Sequence, residues 1–65
     1  MNYDIFGVDH LRAALDHANT SFDLYARAGQ LTHARFHHAE ARRIEEELVN
    51  RGEGVFVDEL FRWKP

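Results

Sequence analysis

Four glycines set the limits on what this chain can fold into. Gly7, Gly29, Gly52 and Gly54 divide 65 residues into a short head, two long segments and a tail. In the first long segment Val8, Leu11, Leu15, Ala18, Phe22 and Tyr25 follow one another at steps of 3, 4, 3, 4 and 3 residues. That interval stacks side chains in a single stripe along an α-helix. Asp9 is a natural N-cap, and Gly29 is a natural residue just past a helix C-terminus. The first helix is therefore predicted over residues 9–28, with Asn19, Thr20 and Ser21 marking where a bend would fall, since all three are poor helix formers.

The second segment repeats the spacing with Ala34, His37, Ala41, Ile44 and Leu48, and Gly52 supplies the stop, so a second helix is predicted over residues 31–51. The link between the two is too short for anything but antiparallel arms, an αα-hairpin with arms of ~30 Å at ~1.5 Å rise per residue. Ala14, Ala18, Ala34 and Ala41 are small enough to let the arms approach closely. The expected fold class is all-α, in one small domain covering residues 1–65.

A single hairpin has little interior. In so short a chain, burial of apolar surface only about balances the entropy lost on ordering. Cysteine is absent, which excludes disulfide staples and thiolate zinc sites. What remains is a histidine-bound metal or self-association, and a dimeric four-helix bundle is the expected way to keep the seam dry.

The ends are apolar: Tyr3, Ile5 and Phe6 in the head, and Val55, Phe56, Val57, Leu60, Phe61 and Trp63 in the tail. Antiparallel arms bring both ends to the side opposite Gly29. Val55-Phe56-Val57 is β-prone and suited to pair with Tyr3 to Phe6 as a small ribbon, and residues 58–63 are suited to one helical turn. Leu24, Phe36 and Val49 lie off the two seams. Together with Phe56, Phe61 and Trp63 they are the candidate partner-binding surface, Leu24 and Phe36 being equally suited to a contact between subunits near the turn.

Five histidines stand in the sequence, three of them within residues 33–38. On a helix His33 and His37 are one turn apart and Glu40 extends the line, a possible two-nitrogen, one-carboxylate face for zinc, nickel, copper or iron. The spacing is weak as a motif, because no fourth ligand is evident and no glutamate follows His33 as in a metalloprotease helix. His10 and His17 are seven apart and face nearly the same way. Were they to approach His37 or His38 across a subunit contact, protonation near pH ~6 would loosen the assembly by like-charge repulsion. No cofactor is expected.

The formal charge of −3 and an isoelectric point near 5.9 give no global field to draw the chain to nucleic acid. Arg35, Arg42 and Arg43 nevertheless form a basic strip on the second helix, the candidate contact for RNA or DNA. Glu45, Glu46 and Glu47 follow at once, a pattern closer to a solvated face with i,i+4 pairs such as Glu47 to Arg51. Ser21 is the only serine and has no glycine-rich or nucleophile-elbow context. A hairpin of this size also lacks room for an enclosed pocket of several hundred Å3, so an enzyme is not expected. Mean hydropathy is −0.52, and no apolar stretch approaches the ~18 residues of a membrane span. Residues 1–4 lack the basic start and apolar run of a signal peptide. A cytoplasmic location is expected.

The stretch Tyr25-Ala-Arg-Ala-Gly29-Gln-Leu31-Thr-His-Ala34, continuing to His38 and Ala41, resembles the second half of a tetratricopeptide repeat. Phe22 stands where that family has a small residue, and one repeat cannot build its concave groove. Length and layout are also similar to small plasmid-encoded RNA-binding dimers built as four-helix bundles, without a match at individual residues. Both are likenesses of architecture and transfer no function. The sequence thus points to a non-enzymatic protein-protein interaction module, an adaptor, assembly factor or inhibitor, that works as a homo-oligomer. A nucleic-acid-binding hairpin dimer and a histidine-based metal module are the alternatives.

Overall fold

The computed structural model describes residue 3 and residues 5–65. Two helices, α1 (Val8–Arg27) and α2 (Leu31–Asn50), are followed by two strands, β1 (Gly54–Val57) and β2 (Leu60–Trp63). The helices pack on each other as an antiparallel pair, and the predicted boundaries hold to within one residue. Residues 19–21 produce no break, because α1 runs continuously past them.

Each helix ends in the same way. At the end of α1 the Gly29 amide donates to the Ala26 carbonyl and the Gln30 amide to Tyr25. At the end of α2 the Gly52 amide donates to Val49 and the Glu53 amide to Leu48. This paired bond pattern closes the last carbonyls and needs a left-handed residue at its centre. Gly29 and Gly52 supply it with φ of 76° and 80°. The start of α1 differs from expectation: Gly7, not Asp9, is the N-cap, and no side chain caps the helix. Val8 packs against the core, which brings the helix start forward and leaves Asp9 in the first turn, where its charge still favours the helix dipole.

The core is the predicted seam without Val8, Phe22, Tyr25 and His37. Leu11, Leu15 and Ala18 of α1 are buried with Ala34, Ala41, Ile44 and Leu48 of α2. Three of these seven are alanines, so the helices sit close and the apolar volume enclosed is small. Tyr3, Phe6, Val8, Ala14, Phe61 and Trp63 pack around it from outside.

The tail corrects the all-α expectation. β1 and β2 pair antiparallel with each other, in the register Gly54 to Trp63, Val55 to Arg62, Phe56 to Phe61 and Val57 to Leu60. The tail therefore forms its own ribbon. It neither pairs with residues 3–6, of which Asp4 lies outside the described residues, nor forms a helical turn. The two-residue connection, Asp58 and Glu59, has φ of 52° and 67°, the type I′ geometry that matches strand twist.

The head is held separately. The Arg51 guanidinium donates to the Phe6 carbonyl and, at 2.8 Å, to the Tyr3 carbonyl, while its Nε donates to Glu47 Oε2 at 2.7 Å. No helix among the described residues is long and apolar enough to cross a membrane.

Candidate functional site

Side chains alternate across a strand, so the register divides the ribbon into two faces. Gly54, Phe56, Phe61 and Trp63 share the inner face. Val55, Val57, Leu60 and Arg62 share the outer one and are exposed. Phe56 and Phe61 meet edge to face at 6.1 Å, and Phe61 and Trp63 at 5.1 Å. Gly54 is buried beneath this cluster. A Cβ there would stand 2.4 Å from the Phe61 ring and 2.9 Å from the Arg62 carbonyl, so only glycine allows the ring to lie on the strand.

An arginine from each helix fastens the ribbon. Arg12 of α1 lies over the Trp63 ring at 4.2 Å, and Arg42 of α2 over Phe56 at 4.4 Å. Arg42 also donates to the Glu59 carbonyl at 3.2 Å, at the ribbon's turn. Between ribbon and helices is a cleft of about 150 Å3 that includes Asn19, His38, Glu45 and Phe61 in its wall. Burial here pushes the Glu45 carboxyl above the ordinary carboxylate range, opposed in part by the positive charge of Arg42 and by His38.

Among the described residues the other flank of the helix pair is covered at one end only, by Tyr3 and Phe6 of the head. Residues seven apart face the same way to within about 20° at ~100° per residue. One such row on α1 is His10, His17 and Leu24, and one on α2 is His33, Glu40 and Glu47. Between the rows runs a cleft of about 210 Å3, floored by Leu11, Ala14 and Ile44 and walled by His10, His17 and Glu40, with Tyr3 and Phe6 at one end. His10 stacks on Phe6 at 4.5 Å. Toward the Gly29 turn, His33 and His37 both stack on Tyr25, at 4.9 and 5.4 Å. Leu24 is 62% exposed and Phe36 64%, and Phe36 lies one turn from Glu40.

The candidate partner residues therefore separate. Phe56, Phe61 and Trp63 are half-buried and turned toward the helices. Val49 is half-buried, while Leu24 and Phe36 are exposed on the flank opposite the ribbon, the Phe36 ring meeting His37 edge to face at 5.3 Å. The arginine strip separates as well: Arg35, Arg42 and Arg43 are all exposed, but Arg42 is engaged with the ribbon. His33, His37 and Glu40 are not gathered as ligands. His37 Nδ1 is 3.3 Å from Glu40 Oε1, His33 lies on Tyr25, and no three His, Asp or Glu side chains among the described residues are grouped as a cation would need. Sequence reasoning missed the contacts of Arg12 and Gly54 with the ribbon's rings and the reach of Arg51 to the Tyr3 and Phe6 carbonyls. The signal for Gly54 was present in the period-two pattern of Gly54 and Phe56 against Phe61 and Trp63, which marks one side of a ribbon. No family model, curated protein or solved structure matches the chain.

Proposed function

We propose that the chain is a small, non-enzymatic protein-interaction module of the cytoplasm that works as a homodimer, its two copies joined through the flank opposite the ribbon into a four-helix core. The observation that carries this reading is the unequal covering of one helix pair. The ribbon and its two arginine clamps occupy one flank, while the other presents an apolar-floored cleft with Leu24 and Phe36 exposed beside it.

A second copy is the occupant that fits best. With neutral histidines the flank is electrically balanced, since Glu40 and Glu47 are matched by Arg43 and Arg51, and a balanced surface can be buried against itself without a net charge. A two-fold pairing also needs a patch that can face its own copy, and the apolar floor of Leu11, Ala14 and Ile44 beside exposed Leu24 and Phe36 is one. The broad side of the molecule measures 35 by 27 Å in Cα extent, room enough for the ~800 Å2 per partner of a stable interface. The third dimension is 16 Å, thin for a body that must keep two helical stripes dry.

Sedimentation equilibrium tests the reading. The wild-type chain is expected at twice its 7.6 kDa mass, and a Leu24→Asp/Phe36→Asp variant at the single-chain mass with unchanged helix content. Val57→Asp, on the outer face of the ribbon, should leave the dimer intact. A wild-type chain that stays single at high concentration rules the reading out.

A further inference from the structure

Histidines are distributed unequally over the molecule. His10, His17, His33 and His37 belong to the flank opposite the ribbon, and His38 alone belongs to the ribbon side, where it lines the smaller cleft and meets Phe22 at 5.4 Å. From this placement we infer that association through the open flank is governed by pH, with protonation of His10 and His17 as the releasing event. The inference rests on the proposed self-association and adds its regulation.

The charges facing these imidazoles settle the sign. α1 contributes His10 and His17 and no carboxylate to the flank, because Asp9, Asp16 and Asp23 lie on the side of α1 turned away from it. α2 contributes His33, His37, Glu40, Glu47, Arg43 and Arg51, and the head contributes the Tyr3 phenol. Glu47 is paired with Arg51 at 2.7 Å, and Glu40, in the same cleft wall as His10 and His17, lies 3.3 Å from His37. The two carboxylates, Glu40 and Glu47, are already equalled in number by Arg43 and Arg51, so charge gained on the α1 row is in excess. Each proton taken up there leaves the flank more positive, and two identical flanks meet in the pair. Protonated imidazoles also lose hydration when the cleft is covered, which disfavours their charged form. The paired state therefore binds fewer protons than the separate chains, and association must strengthen as pH rises through the range where imidazoles titrate, around pH ~6.5.

Sedimentation equilibrium at constant ionic strength, at about pH 7.5 and about pH 5.5, tests this in the wild-type chain. Dissociation is expected to be at least ~10-fold stronger at the lower pH, since a one-unit fall in proton affinity gives about fivefold per imidazole over this range and two copies bring His10 and His17 twice. His10→Gln/His17→Gln should remain dimeric with the dependence flattened, and His38→Gln should keep the full dependence. Added salt at the lower pH should restore part of the association, by screening the repulsion.

A wild-type dimer of equal strength at both pH values overturns the inference and leaves the proposed dimer standing. A chain that is single at both removes the dimer and the inference together. Circular dichroism on the same samples guards the conclusion: helix content lost in step with dissociation, in the double variant as in the wild type, would assign the effect to unfolding and overturn it too.

Discussion

The two flanks of the helix pair start from the same materials and end differently. On one, Arg12 and Arg42 extend over aromatic rings of the ribbon, and Glu59 and Glu45 lie nearby. On the other, the heptad rows carry histidines, glutamates and exposed Leu24 and Phe36. Both flanks border the same seven buried residues. The difference shows that a two-helix seam does not itself decide which side is sheltered. That is decided by the residues one position off the seam: guanidiniums, which hold an aromatic ribbon by its faces, or imidazoles, which stay compatible with an apolar neighbour while neutral.

The covered flank is most vulnerable at Gly54. Gly54→Val should destabilise the chain by about 1–3 kcal/mol, the usual effect of forcing atoms into an occupied space, and lower the melting temperature by ~4–8 °C per kcal/mol. A melt unchanged by that substitution would mean that the ribbon contributes nothing to the covered flank. Glu59→Gly acts in the opposite direction. A left-handed residue with a side chain is disfavoured by ~1–2 kcal/mol, so this variant should gain about 1 kcal/mol in a denaturant titration. Arg12→Ala removes one clamp and should lose ~0.5–1 kcal/mol, the range for an exposed cation–π contact.

Glu45 makes the covered flank sensitive to pH. A carboxyl whose folded pKa lies above its unfolded value is favoured in the folded chain while protonated, and the associated stability is lost as pH rises through the two values. Glu45→Gln should accordingly raise the melting temperature at about pH 7 and change it little at about pH 3, below both values. The smallest effect is expected on the open flank: Phe36→Ser, measured where the chain is a single copy, should stay within ~0.5 kcal/mol of wild type. A larger loss there would mean that Phe36 is part of the single chain's own fold.

The helices were legible because their signals are local. A 3–4 spacing and a glycine after each segment are enough to locate Val8–Arg27 and Leu31–Asn50 to within a residue. The ribbon was not legible, because its turn lacks the usual chemistry. Asn-Gly or Asp-Gly announces a type I′ connection, and Asp58-Glu59 does not, so the strands on either side looked like separate pieces. The heptad relation of His10 and His17 could be read from spacing alone. Which histidine would stand apart could not, since the isolation of His38 depends on the side the ribbon takes, and that is set by Arg12 and Arg42 meeting rings far away in sequence. The pairing of Glu47 with Arg51 was visible at i,i+4; the further reach of Arg51 to the carbonyls of residues 3 and 6 was not.

Trp63 is the only tryptophan in the chain, and it sits in the last strand beneath Arg12. Its fluorescence therefore reports the seating of the ribbon and little else, while far-ultraviolet ellipticity reports the helices. The molecule carries two spectroscopic channels, one for each of its layers. Their midpoints on heating, coincident or separate, say whether ribbon and helices come apart as one cooperative unit or as two.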